Sequence, residues 1–413
     1  MIIKRDYYLQ QLISSKSNNL IKIVTGIRRS GKSFLLFNLF HNHLIETGIS
    51  EDHIIEIALD DRLNKNLRDP DVILRHIHER IVDDKLYYII LDEVQMIDEF
   101  TDVLNSLLHI RNADVYVTGS NSRFLSKDVV TEFRGRGDEI HLFPLSFAEL
   151  YNSVGGDKFD LWKSYYTYGG LPGILELDSD KKKAAYLRSL HETVYLKDII
   201  ERNNLKNSEE FMELMRVMAS CIGSPCNPSK LENTFKSVKN ETLDRKTISK
   251  YLSYMEDAFL IEKSMRYDIK GRKYIGTLSK YYFQDIGLRN ALLNFRQVEE
   301  NHIMENVIYN ELRLRGFCVD VGMVEARTAK ERKQLEVDFV ANMADRRYYI
   351  QSAFAMPDDE KREQECASLK RIDDSFKKII IMRDDIKPYH DNNGFYIVGL
   401  MDFLLKPDLM EQL

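Results

Sequence analysis

Gly26-Ile27-Arg28-Arg29-Ser30-Gly31-Lys32-Ser33 has the spacing G-x-x-x-x-G-K-[ST], that of a loop that wraps a phosphate in its backbone N–H groups. The two glycines let the chain turn tightly around an anion. A helix starting behind the loop, from Phe34, adds the positive end of its dipole. Lys32 is placed to reach the β- and γ-phosphates of a nucleotide, and Ser33 to ligate Mg²⁺. A second acidic signal lies downstream. The apolar run Leu86–Leu91 ends in Asp92-Glu93. A carboxylate at the end of a buried strand suits Mg²⁺ held through water, here Asp92. The next residue, Glu93, is of the type that polarises an attacking water. A third strand, Val115–Thr118, runs into Gly119-Ser120-Asn121-Ser122. A polar side chain at that tip can sit between Glu93 and the γ-phosphate; Asn121 is the first choice for this sensor and Ser120 the second.

These groups need a scaffold that brings strand ends together. Residues 1–150 alternate strand and helix, with strands expected at 20–25, 53–59, 86–91, 114–118 and 138–143. Alternation of this kind argues for a parallel sheet covered on both faces, with ligand at the carboxyl ends of the strands. After Pro144-Leu145-Ser146-Phe147 the pattern turns helical to about residue 220, broken at Tyr168-Gly169-Gly170-Leu171-Pro172-Gly173. A helix over 244–256 carries the stripe Ile248, Tyr251, Leu252 and Met255. The segment 259–283 then alternates like a hairpin with its turn at Lys270-Gly271-Arg272. Helices followed by such a hairpin suggest a winged helix. From about residue 298 a helix and further strands form a third unit of small α/β type.

The chain has 413 residues, 44% of them hydrophobic and 30% charged, which suits two or three folded domains and excludes a disordered chain. No apolar run approaches a membrane span, and the amino terminus has no signal-peptide core. Four scattered cysteines, Cys221, Cys226, Cys318 and Cys366, form neither a disulfide framework nor a zinc pattern. A cytoplasmic protein with reduced thiols and no membrane association is expected. The formal charge of −6 confines any nucleic-acid surface to a local patch. The hairpin offers one: Lys263, Arg266, Lys270, Arg272, Lys273 and Lys280 interleave with Tyr267, Tyr274, Tyr281 and Tyr282, and Lys246 and Lys250 decorate the preceding helix. Such contacts give salt-dependent, mostly non-specific affinity for DNA.

With these motifs in hand, the chain resembles a prokaryotic family of AAA-type P-loop ATPases that carry a carboxy-terminal domain of unknown function. The resemblance rests on the P-loop, Leu91-Asp92-Glu93-Val94-Gln95, Thr118–Ser122, Gly135-Arg136, Pro144–Phe147, Tyr168–Pro172, Tyr195-Leu196-Lys197-Asp198-Ile199 and Glu336-Val337-Asp338-Phe339. It implies an α/β fold: a P-loop NTPase core over 1–145, a helical lid over 146–205, a winged helix over 206–296 and a nuclease-like fold over 297–413. It implies ATP and Mg²⁺ as ligands. It places Pro172 near the adenine and the sensor strand between the P-loop strand and the Asp92 strand. Of Arg134 and Arg136, the latter matches the family's Gly-Arg and is the expected arginine finger, acting in trans within a homo-oligomer.

The carboxy-terminal unit resembles a PD-(D/E)xK frame through Glu305, Asp338 and Tyr349-Ile350-Gln351-Ser352-Ala353. That chemistry needs two carboxylates on a divalent metal and a lysine beside an activated water. Gln351 supplies no anionic ligand and Ala353 no amine, so the unit is expected to cut nothing. The leading expectation is an ATPase that couples Mg·ATP hydrolysis to conformational change, with DNA as a partner. The alternative is an ATP-gated DNA-binding or defence-type switch with negligible turnover.

Overall fold

The computed structural model describes residues 3–119, 136–239, 243–327 and 332–412. It divides into two compact units. The first runs from the amino terminus through Pro144 and adds Asp257–Phe259; the second comprises Leu145–Glu256 and Leu260–Leu413.

The first unit is built on five strands, β1 (Ile21–Thr25), β2 (Ile54–Ala58), β3 (Tyr87–Asp92), β4 (Ala113–Thr118) and β5 (Gly137–His141), in the order β2-β3-β4-β1-β5. Every pairing is parallel. All five expected strands are present. The central strands are largely apolar because they are covered on both faces: β1 and β3 are buried at every position, whereas the edge strand β5 buries only Ile140. One cluster on the sheet gathers Ile23, Ile57, Ile89 and Val117, another Val24, Phe40, Tyr88 and Tyr116. β4 separates β3 from β1, so the sensor strand lies where the resemblance placed it. At the amino end of the sheet, wholly buried Lys22 pairs with Asp114 and donates to Leu20 O at 2.9 Å. A buried ammonium survives there because a carboxylate and a carbonyl replace its water.

The second unit begins with a capping box. Ser146 Oγ accepts from Glu149 N at 3.1 Å while Ser146 N donates to Glu149 Oε2 at 2.9 Å, starting the helix Phe147–Val154. The helix Lys158–Tyr168 stops at Gly169, whose φ is +76°. Helices Asp180–Leu190 and Ser208–Ser220 follow, then Pro228–Thr234 and Arg245–Asp257. The strands are β6 (Ile261–Asp268), β7 (Lys273–Phe283), β8 (Cys318–Arg327), β9 (Arg332–Met343), β10 (Arg346–Ala353), β11 (Lys377–Met382), β12 (Tyr389–His390) and β13 (Tyr396–Gly399). They form one mixed sheet in the order β12-β13-β11-β10-β9-β8-β6-β7.

This sheet departs from the expected division at 296/297. The hairpin β6–β7 is expected to belong to a separate unit, yet β6 pairs in parallel with β8 through Arg266, Tyr267 and Asp268. A register shift after Met265 frees the outer half of the hairpin to extend the carboxy-terminal sheet. The inner half stays with the helices, where Ser279 of β7 bridges Cys226 in antiparallel sense.

Candidate functional site

The P-loop conformation follows from three residues at positive φ: Gly26 at +135°, Arg29 at +66° and Gly31 at +98°. Alternation of right- and left-handed backbone turns successive N–H groups toward one point. Gly26 admits no side chain, since a Cβ would lie 2.2 Å from Leu142 O on the segment leaving β5. Lys32 begins the helix and is buried; its Nζ donates to Gly26 O at 2.9 Å and Ile27 O at 3.1 Å. Ser33 and Phe34 are exposed, Arg28 is half-buried, and Ser30 is wholly buried. Behind Phe34 the helix widens for Leu35–Phe40 before resuming at His41–Glu46.

The helix start behind the P-loop and the ends of β3 and β4 meet in a hydrogen-bonded chain. Ser33 Oγ donates to Asp92 Oδ2 at 2.7 Å. Thr118 Oγ1 donates to the other oxygen of that carboxylate. The same hydroxyl accepts from Glu93 N at 2.8 Å. Burial pushes the Asp92 carboxyl above its usual range, and the hydrogen bonds from Thr118 and Ser33 partly offset this. Glu93 sits at φ +54°, which swings its side chain out of the strand direction. Its Oε2 accepts from Gln95 Nε2. Ser33, Asp92 and Glu93, picked on motif grounds, are thus brought together. Hard oxygen donors from Ser33 and Asp92 fit Mg²⁺.

Sequence reasoning passed over Thr118 and Gln95 as site residues. Thr118 ends a plain apolar strand, and only the strand order puts it beside Asp92. Arg5 was missed as well. Buried at 5% exposure, it donates to Ser30 O at 3.3 Å and to Phe143 O at 2.7 Å. Tyr8 OH accepts from Phe143 N at 3.2 Å, so the helix Asp6–Ser14 braces the loop and the exit of β5 together. Asn121, Ser120 and Arg134 lie outside the described residues. Arg136 is exposed, and its carbonyl accepts from Ile21 N at 2.9 Å, at the amino end of the sheet. The P-loop leaves β1 at the opposite end, roughly 13 Å of strand away. Arg136 therefore does not reach the P-loop of its own chain.

Pro172 belongs to the second unit, at the head of the turn Pro172–Glu176. The glycines before it are dictated by packing. A Cβ on Gly169 would lie 2.4 Å from Asp285 Oδ2, and one on Gly170 would lie 2.2 Å from Leu145 O. Asp285 caps the wholly buried helix Ile286–Leu292, accepting from Leu288 N at 2.9 Å and Gly170 N at 2.8 Å. Asn290 of that helix holds the carbonyls of Tyr166 and Thr167, each at 2.9 Å.

The basic hairpin needs correction. Lys263, Lys270, Arg272 and Lys273 are exposed, as are Lys246 and Lys250. Arg266 and Lys280 are not: strand alternation turns both inward. Arg266 bonds Gln334 Oε1 at 3.2 Å, and Lys280 meets carboxylates. Tyr281 and Tyr282 are core residues, leaving Tyr274 as the well-exposed ring. In the carboxy-terminal unit, Glu305, Asp338 and Gln351 do come together and line one cleft of about 620 Å³. Ala353 faces the core instead.

Among the described residues no helix is long and apolar enough to cross a membrane. Residues 18–151 match the family described as AAA domain, and residues 159–299 match the domain of unknown function DUF8612. An uncharacterized protein of Haemophilus influenzae is 33% identical over 414 residues, covering 98% of this chain and 99% of its own. One from Methanocaldococcus jannaschii is 28% identical over 391 residues, covering 90% and 82%. Among solved structures, the Aeropyrum pernix ORC1 protein in complex with DNA aligns over 71% of this chain and 92% of its own, at 12% identity and TM-score 0.29. Cdc6p from Pyrobaculum aerophilum aligns over 74% and 96%, at 12% identity and TM-score 0.31. At those scores the fold assignment rests on the sheet order and the loop. One-third identity along the full length places this chain in one family with the uncharacterized Haemophilus influenzae protein, and the matched AAA domain with its P-loop geometry makes it an AAA-type P-loop ATPase.

Proposed function

We propose that the first unit binds and hydrolyses Mg·ATP and that the second carries a DNA-binding winged helix driven by that cycle. The observation that carries the enzymatic part is the chain Ser33–Asp92–Thr118–Glu93 at the carboxyl ends of three adjacent strands. In this reading Lys32 exchanges the carbonyls of Gly26 and Ile27 for phosphate oxygens, and Phe34 lies beside the bound nucleotide. Ser33 and Asp92 would hold Mg²⁺, which would neutralise phosphate charge. Glu93 takes the proton of the attacking water, with Asn121 as sensor. Pro172 packs near the base, and Arg136 serves a neighbouring subunit in a homo-oligomer.

The element order supports the winged helix: Ser208–Ser220, the Cys226 bridge to Ser279, Pro228–Thr234, Arg245–Asp257, then β6 and β7. A short strand after the first helix that pairs with the last strand is the connectivity of that fold. The exposed Lys246, Lys250, Lys270, Arg272 and Lys273 are its phosphate contacts. The deciding experiment is phosphate release with and without duplex DNA, for the wild type and Glu93→Gln. Equal turnover in both proteins removes Glu93 from the reaction; turnover indifferent to DNA, with no DNA affinity at low salt, removes the DNA half.

One observation favours the alternative, a switch with little turnover. Gln95 holds the Glu93 carboxylate through its side-chain amide. While that bond lasts, Glu93 is not aimed at a water. Gln95→Ala then raises the basal rate; an unchanged or lower rate removes this reading of Gln95.

A further inference from the structure

The carboxylates of the nuclease-like frame surround an ammonium that comes from elsewhere in the sheet. Glu305 projects from the helix Glu300–Leu314, and Glu336 and Asp338 share one face of β9. Lys280 reaches them from β7, with its side chain only 3% exposed. Its Nζ lies 2.8 Å from Glu305 Oε1, 2.8 Å from Glu336 Oε1 and 3.9 Å from Asp338 Oδ1. The remaining lone pairs are partly engaged. Tyr282 OH donates to Glu305 Oε1 at 2.8 Å, and Ser352 N donates to Asp338 Oδ2 at 2.8 Å.

A divalent metal does not fit this arrangement. Three carboxylates, Asp338 buried and Glu305 and Glu336 half-buried, pack around a cation because their like charges would otherwise crowd together. Here that cation is bonded into the chain. The position where an acidic ligand is needed holds Gln351, whose buried Oε1 has no hydrogen-bond partner among the described residues. Among the described residues no group of three or more His, Cys, Asp or Glu is set closely enough to hold a metal ion. The spacing is that of carboxylates around an ammonium.

We infer that Lys280 is a resident counter-ion standing where a metal-dependent nuclease would hold its divalent cation, and that this ammonium keeps the cleft metal-free and structural. The inference rests on the nuclease-like reading of Glu305, Asp338 and Gln351. It predicts that removing the ammonium uncovers a cation site. Replacing Lys280 leaves three crowded carboxylates without their cation, and a small divalent ion with oxygen preference is the natural substitute.

The test uses nucleotide-free full-length protein and Mn²⁺, with binding followed by electron paramagnetic resonance and stability by thermal melting. Wild type and Asp338→Asn should take up the same small amount of Mn²⁺. Lys280→Ala should melt lower than wild type, and 1 mM Mn²⁺ should raise its midpoint by roughly 5–10 °C, the shift expected at about a hundredfold excess over Kd. Lys280→Ala combined with Asp338→Asn should show no such rescue. Where Lys280→Ala does not fold without metal, the bulkier Lys280→Gln is used in the same comparison. A wild-type Mn²⁺ site lost in Asp338→Asn overturns the inference. So does a folded Lys280 variant without Asp338-dependent Mn²⁺ uptake. Mn²⁺-dependent DNA cleavage by wild type, lost in Asp338→Asn, overturns the inactive-cleft reading and the inference together. A Lys280→Ala protein as stable as wild type, with no Mn²⁺ uptake, overturns the inference and leaves the inactive-cleft reading standing.

Discussion

Replacing Thr118 with valine removes one hydroxyl and keeps the side chain's shape. Thr118 is wholly buried, and the methyl of valine takes the place of the hydroxyl, against Asp92 and Glu93. The hydroxyl makes two bonds at once, donating to Asp92 Oδ1 and accepting from Glu93 N. Valine removes the acceptor of the half-buried Glu93 N–H and strips a donor from a carboxylate that burial already disfavours. Losing the partner of a buried polar group costs about 1–3 kcal/mol, and a methyl set against a carboxylate returns nothing. A loss of about 1–3 kcal/mol follows, a fall of roughly 2–12 °C in the melting temperature of a unit this size. Turnover should suffer separately, because the Glu93 N–H to Thr118 is what fixes the backbone from which that carboxylate projects. A loss of roughly 10- to 100-fold in kcat corresponds to about 1.4–2.7 kcal/mol of lost transition-state stabilisation. Thr118→Ser keeps both bonds and should lie within about threefold of wild type, since it loses no hydrogen bond. Thermal melting and steady-state phosphate release on the three proteins separate stability from chemistry. A folded Thr118→Val protein with wild-type kcat would show that this hydroxyl does not position Glu93.

Lys32→Ala should weaken ATP affinity by about 2–5 kcal/mol, the range for losing one partner of a buried charge pair, while Glu93→Gln binds normally and turns over about 10²- to 10⁴-fold slower; isothermal titration and phosphate release report each. The Asp285 carboxyl, wholly buried, is pushed up to about 6. Its folded value exceeds the ordinary value near 3.8, so its stabilising contribution is complete below about pH 4 and lost as pH rises through about 6, a change of roughly 3 kcal/mol. Urea midpoints at pH 4.5 and 7 should show this decline in the wild type and less of it in Asp285→Asn; parallel profiles would refute it. Changing Lys270, Arg272 and Lys273 to Glu should abolish DNA binding, and wild-type affinity should fall linearly in log–log salt plots; a flat salt dependence rules out phosphate contacts there. Arg136→Ala should bind ATP yet fail to hydrolyse it, and mixing it with Lys32→Ala should restore part of the activity; concentration-independent activity from a monomer argues against the trans role.

The motif-bearing part of this protein was legible because its chemistry is local. The P-loop is eight consecutive residues, Asp92 and Glu93 are neighbours at a strand end, and β3 is an unbroken apolar run that leads into them. Phosphate wrapping and burial on two faces constrain adjacent residues, so spacing alone reveals them. The helix Arg245–Asp257 and the hairpin were equally visible through their periodicities. Whether Arg266 and Lys280 faced DNA or core was not, because one register shift at Met265 and a parallel pairing with β8 decide it. The same limit hid the residues that hold each site in place. Thr118 meets Glu93 across 25 positions, Asp285 meets Gly170 across 115, and Arg5 meets Phe143 across 138. Their side chains are ordinary in type and carry no spacing signal. Only the folded sheets bring them to hydrogen-bond distance, because contacts between distant segments depend on strand order and register, which no local pattern encodes.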